Sequence, residues 1–177
     1  MRIVGGTFKS RVLLEFKGND VRPTADKVRE SLFNILQNRI YGSEFLDLFA
    51  GTGAMGIEAL SRGAKRVFFN DKSRDSVNLV KKNLEKLGIE DGVKVVNLDA
   101  VSLLKTTTEK FDIIYIDPPY QSEFGEQALS VVSSVLKDDG VVIYENEKPF
   151  SKEISGLIKT DERNYGRVYL TFFKGEK

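Results

Sequence analysis

Apolar positions divide the chain near residue 43 into a short opening section and a long regular alternation. From Glu44 onward, short apolar runs alternate with stretches whose apolar residues return every three or four positions. The runs Phe45-Leu46-Asp47-Leu48, Arg66 to Phe69, Val93 to Val96, Ile113 to Ile116 and Val141 to Tyr144 read as strands. The stretches from Ala54 to Arg62, from near Ser73 with Val77, Val80, Leu84 and Leu87 on one stripe, and from Glu126 to Leu136 read as helices. Strands apolar on both faces, alternating with helices, predict an α/β fold with a doubly wound, mostly parallel sheet. The tail departs from this rule. Arg167 to Phe173 reads as a strand with no helix before it, so an antiparallel hairpin should close the sheet edge.

The opening section has its own pattern. Arg2-Ile3-Val4 and Arg11 to Phe16 are strand-like and flank Gly5-Gly6, which predicts a hairpin. Gly18-Asn19-Asp20 is a turn, and Thr24 is the candidate N-cap of a helix reaching about Arg39. Val28, Leu32, Ile35 and Leu36 share one face of that helix, and Lys27, Arg29 and Glu30 the other. The expectation is one domain over 1–177: a basic extension at 1–43 and a core at 44–177.

Composition narrows the chemistry. The chain has 177 residues, 41% hydrophobic and 30% charged, as expected of a soluble globular protein. No apolar run approaches the ~18 residues of a membrane span and no signal-peptide core is visible, so a cytoplasmic protein is expected. There is no cysteine and no histidine. That excludes thiolate nucleophiles, imidazole bases, Ser-His-Asp triads and Cys- or His-ligated metals. The net charge of +1 is unevenly spread: residues 1–43 hold eight Lys and Arg against four Asp and Glu. A basic front on a mildly acidic body suits a polyanion.

Two stretches carry candidate chemistry. Phe111 to Ile116 ends in Asp117-Pro118-Pro119-Tyr120. The prolines cannot continue a ladder, so the strand stops at its C-terminal end, where open α/β sheets bind ligands. The other is the turn Asp47-Leu-Phe49-Ala-Gly51-Thr-Gly53-Ala-Met-Gly56, between a strand and a helix. Its glycines match G-x-G-x-x-G, with Asp71 placed for a ribose, so a dinucleotide is one reading. S-adenosylmethionine is the better one. Asp47 opposes a pyrophosphate but suits an ammonium, and Asp99 can accept from an adenine amino group. The cofactor set is Asp47, Phe49, Gly51, Gly53, Asp71, Asp99, Ala100 and Asp117.

Asp117-Pro118-Pro119-Tyr120 resembles the motif of methyltransferases that act on exocyclic amines of nucleobases. The stretches Met1 to Gly6, Arg22 to Asn34, Leu46 to Gly53 and Glu58 to Ala64 are similar to the bacterial 16S ribosomal RNA guanine-N2 methyltransferases, the RsmD family. The chain departs from that pattern at Asn70-Asp71, where Val-Glu is expected. The resemblance implies a seven-stranded class I, Rossmann-like methyltransferase fold. It also implies transfer of one methyl group to N2 of a guanosine in 16S ribosomal RNA. The expected partner is that RNA within a small-subunit particle, met by a monomer without metal. Asp117, Pro118, Pro119 and Tyr120 are the catalytic candidates. Carboxylate and carbonyl would hold the amine, and the ring would stack the base. Arg2, Lys9, Arg11, Arg22, Lys27 and Arg29 are the RNA-contact candidates. Tyr144-Glu145 and Tyr165-Gly166 are further possible wall residues. The alternatives are adenine-N6 methylation of DNA or RNA, a nicotinamide dehydrogenase, and a catalytically silent RNA-binding or assembly factor.

Overall fold

In a computed structural model, which describes residues 1–17, 23–119 and 122–176, the alternation becomes a seven-stranded sheet. The strands are β1 (Glu44–Asp47), β2 (Arg66–Asn70), β3 (Val93–Val96), β4 (Phe111–Ile116), β5 (Leu136–Asn146), β6 (Leu157–Tyr165) and β7 (Val168–Gly175). They lie in the order β3-β2-β1-β4-β5-β7-β6. The first five run parallel, and β7 pairs antiparallel with both β5 and β6. The doubly wound expectation and the closing hairpin both hold. β6 had no apolar signal because only its first residue is buried.

The helices are α1 (Pro23–Ile35), α2 (Gln37–Ile40), α3 (Ala54–Ser61), α4 (Arg74–Leu87), α5 (Ala100–Thr106) and α6 (Phe124–Val132). Two cores sandwich the sheet. One joins Val28, Leu32 and Phe33 of α1 to Ile57 of α3 and Val80 and Leu84 of α4. The other joins Leu103 and Leu104 of α5 to Ala128, Leu129 and Val132 of α6. The central strands are apolar on both faces because each contributes to both cores.

Several local expectations change. The first helix breaks at Leu36, and Ile35 is 43% exposed while Phe33 takes its place in the core. The helix already includes Pro23, so it starts before Thr24. The last long helix begins at Phe124, and a 3-10 turn at Ser133–Val135 hands the chain to β5 at Leu136. The N-terminal hairpin is an antiparallel bridge, Arg2 with Val12, and not two regular strands. The turn Gly18-Asn19-Asp20 lies outside the described residues.

The arm is fixed to the core by side chains. Val4 N donates to Glu58 Oε2 at 2.9 Å, and Phe8 N donates to Ser61 Oγ at 2.9 Å, both on α3. Among the described residues no helix is long and apolar enough to cross a membrane.

Candidate active site

The sheet reverses its order of growth between β1 and β4, the place where open α/β sheets leave a crevice at their C-terminal edge. Register brings the candidate acids together there. Asp47 pairs with Tyr115 across β1 and β4, and Ile116 pairs with Tyr144 across β4 and β5. Asp117 and Glu145 are the residues that follow that last pair, so they sit side by side, Asp117 just past the end of β4 and Glu145 near the end of β5. Two clefts open at this edge, of about 860 and 580 Å³, and they share Phe49, Gly51 and Asp117.

The larger cleft is walled by Asp71, Asp99, Ala100, Pro118 and Pro119. The smaller one is walled by Asp47, Tyr115, Glu145 and Tyr165, with Met1 of the arm. Of the cofactor candidates, Gly53 is buried under the turn and lines neither cleft. Glu145, Tyr165 and Gly166 line the smaller cleft. Tyr144 does not: it is buried edge-on to Phe150. Tyr120 lies outside the described residues.

The glycine turn is shaped from both sides. Gly51 and Gly53 have φ of 54° and 82°, a conformation that costs a side chain about 1 kcal/mol or more. Gly56 is small for a different reason: a Cβ there would lie 2.2 Å from the Phe69 ring. Asp47 Oδ2 accepts from Gly56 N at 3.0 Å, which fixes the start of α3 against the end of β1. Asp71 spans the turn and the next helix. Its Oδ2 accepts from Gly51 N at 2.9 Å and its Oδ1 from Ser73 N at 2.8 Å. Asp99 caps α5, accepting from Ser102 N at 2.9 Å, yet stays exposed at the cleft wall. The Pro118 turn is held by α6, where a Cβ on Gly125 would come within 2.7 Å of Pro118 Cγ.

The electrostatics are one-sided. Asp47 is 1% exposed and burial pushes its pKa up to about 7, against the Gly56 hydrogen bond and with help from Asp71. Asp117 is raised well above the usual carboxylate range by burial, then by Glu145 and Asp47. Glu145 is raised by burial, although the Tyr115 hydroxyl donates to its Oε2. Asp99 is instead held low by the hydrogen bonds from Ser102. Among the described residues, none of Asp47, Asp117 and Glu145 is paired with a Lys or Arg. Three buried acids therefore share one cleft with no ion-pair partner among the described residues, although Arg29 and Arg167 also line it, and this arrangement suits a ligand that carries positive charge.

The basic candidates separate. Arg2, Lys9, Arg11 and Lys27 are exposed. Arg29 is not: it is 3% exposed and its guanidinium is committed inside the protein. Its Nη2 donates to Arg2 O at 2.5 Å and Asp26 Oδ1 at 2.9 Å, and its Nε lies 3.4 Å from Glu58 Oε2. Helical periodicity put Arg29 on the polar face, but the arm covers that face. This corrects Arg29 as an RNA contact. Arg22 lies outside the described residues. Two wall residues had no signal in the sequence. Phe124 is half-exposed at the larger cleft, and Lys72 sits 5.8 Å above its ring.

Comparison with known proteins adds the family. The profile of the family described as Conserved hypothetical protein 95 matches residues 1–174. Ribosomal RNA small subunit methyltransferase D of Haemophilus influenzae is 38% identical over 84% of this chain and 79% of its own length. The protein of the same name from Escherichia coli K12 is 35% identical over 83% of this chain and 75% of its own. The solved structure of the Escherichia coli protein yhhF superposes with a TM-score of 0.89 at 32% identity, covering 99% of this chain and 98% of that one. The Thermus thermophilus 16S rRNA N2 G1207 methyltransferase (RsmC), solved with AdoMet and guanosine, shares the fold: TM-score 0.72 at 21% identity, over 91% of this chain and 45% of that one.

Proposed function

Because the chain belongs to the family described as Conserved hypothetical protein 95, the RsmD family, we propose that it methylates N2 of a guanosine in small-subunit ribosomal RNA, with S-adenosylmethionine as donor. The observation that carries the reading is the buried trio Asp47, Asp117 and Glu145, none ion-paired among the described residues, beside the glycine turn. The donor fits these residues in the chemistry of its groups. It has an ammonium, a sulfonium, a ribose diol and an adenine amine, and no phosphate for the acids to repel. When bound, it supplies an electrophilic methyl group on sulfur.

The chain's own residues bind and orient. Asp47 and Glu145 answer the positive charge in the smaller cleft. Asp71 has spare lone pairs for ribose hydroxyls beyond the two backbone bonds it already accepts, and Asp99 can accept from adenine at the cleft wall. The Asp117 carboxylate and the Pro118 carbonyl are acceptors for the two N–H groups of the target amine. They set the direction of its lone pair and stabilise the positive charge that grows on nitrogen. Gly125 lies against both Pro118 and the Tyr144 ring, with no room for a side chain between them, and so keeps the turn in place. Tyr120 remains the proposed stacking ring for a base taken out of its helix. Guanine is preferred to adenine on the family alone. With ribosomal RNA as the proposed substrate, the cytoplasm is the proposed site of action.

One incubation tests substrate and base together: labelled S-adenosylmethionine with small-subunit particles, free ribosomal RNA and DNA, read by nucleoside mass spectrometry. N2-methylguanosine in the ribosomal pools is expected, and N6-methyladenine or label in DNA alone overturns the assignment. Asp117→Ala should lower turnover at least ~100-fold while calorimetry still detects cofactor binding. Turnover near wild type removes Asp117 from its role.

A further inference from the structure

Asn83 lies on the buried face of α4 and is 0% exposed. Its Oδ1 accepts from Leu14 N at 2.7 Å. Its Nδ2 donates to Leu14 O at 3.1 Å and to Thr52 O at 2.9 Å. A carboxamide has two N–H hydrogens and one carbonyl, so every group with hydrogen-bonding capacity is engaged with backbone. The neighbours on this stripe, Val80 and Leu84, are apolar, and another apolar residue would satisfy the core equally well. The amide is needed only because two backbone segments from elsewhere meet it here.

Those segments belong to different functions. Leu14 is on the arm that carries exposed Lys9 and Arg11. Thr52 lies between Gly51 and Gly53, and its carbonyl is in the peptide that leads into Gly53. The planar amide, itself fully buried, holds both at once. A second attachment runs in parallel, from Val4 N and Phe8 N to Glu58 and Ser61 on the helix that the turn opens. The arm also reaches the cleft directly: Met1 lines it, with Thr52 Oγ1 4.0 Å from Met1 Sδ.

We propose that Asn83 is a positioning residue for methyl transfer: it ties the basic arm to the cofactor turn, so that filling the cofactor site firms the arm for RNA. The inference rests on the cofactor reading above. By linkage, RNA on the arm must then firm the turn by the same factor. An arm that opens locally is the element whose equilibrium both ligands bias.

Amide hydrogen exchange on the wild-type chain tests this without relying on a variant. Saturating S-adenosylhomocysteine should slow exchange at Leu13 and Leu14 at least about fivefold, the lower end of ordinary coupling. Asn83→Asp keeps an acceptor for Leu14 N and removes both donors. In a variant shown by thermal melting to be folded, the product should still bind but the two amides should no longer respond. Binding to the wild type with unchanged exchange overturns the inference alone, as does a full response in the folded Asp variant. Absence of binding to the wild type removes the cofactor reading, and this inference with it.

Discussion

Two places in this chain bury carboxylates, and they are built in opposite ways. Under the arm, Glu58 is 0% exposed and fully answered: Arg62 Nε at 2.8 Å, Arg29 Nε at 3.4 Å and Val4 N at 2.9 Å. At the strand ends, Asp47, Asp117 and Glu145 share one cleft, and among the described residues none of them is ion-paired with a Lys or Arg. A buried charge with all its partners is architecture. A group of buried charges without them leaves a deficit that a ligand can fill, which is why perturbed acids gather at active sites. The difference predicts which acids can be removed from the empty protein without harm.

Breaking the paired site should have the largest effect. Glu58→Ala leaves the Arg29 guanidinium buried with Asp26 as its remaining carboxylate and frees the arm at Val4. Loss of one partner of a buried pair costs about 3–5 kcal/mol, which urea unfolding would register. A loss below about 1 kcal/mol would erase the contrast between the two regions.

Asp47→Asn should do the reverse. The amide oxygen can still accept from Gly56 N, but the buried charge is gone. The sign follows from the raised pKa. Between 3.8 and about 7 the folded chain holds a proton on Asp47 that the unfolded chain has lost. Wild-type stability therefore falls as pH rises through that window, and this part of the fall should be missing in the variant. The variant should be at least as stable as wild type at pH 8 before any ligand is added. Cofactor affinity should move the other way: in wild type it rises with pH up to about 7, as Asp47 ionises to meet the cation. In the variant it should be about tenfold weaker and lack that rise, since ~1.4 kcal/mol is a modest value for one charge-assisted contact. Calorimetry at pH 6 and pH 8 would read both effects, and equal affinity in the two proteins at pH 8 would detach Asp47 from the cofactor.

The same contrast explains what the sequence could reveal. The strand ends were legible because each candidate acid closes an apolar run: Asp47 ends β1, Asp71 follows β2 and Asp117 follows β4. The glycines were legible because few other reasons exist for three within six residues at a strand-to-helix turn. Arg29 was misread because periodicity tells which side of α1 is apolar, and not that a second layer covers the other side. α5 went unnoticed because it is seven residues long and its two core leucines, Leu103 and Leu104, give too little periodicity. Its start was nevertheless written as Asp99-Ala-Val-Ser102, a cap that also accounts for the position of Asp99. Glu58 and Asn83 gave no local signal, because their partners lie 54 and 69 residues away on the arm.

The smallest effect tests that correction on the arm itself. Lys9 and Arg11 are exposed, whereas Arg29 is enclosed, hydrogen-bonded to Arg2 O and Asp26 and ion-paired with Glu58. A cation that neutralises one phosphate contributes about 0.7–0.9 to the slope of log affinity against log salt. Lys9→Ala and Arg11→Ala should each flatten the slope for small-subunit ribosomal RNA by about that amount and leave the melting temperature almost unchanged. Arg29→Ala should lower the melting temperature and leave the slope of the folded fraction as it was. Filter binding across a salt series, beside thermal melts, separates the two classes. If Arg29→Ala flattens the slope and the exposed pair does not, the arm meets RNA by a face other than the one these residues present.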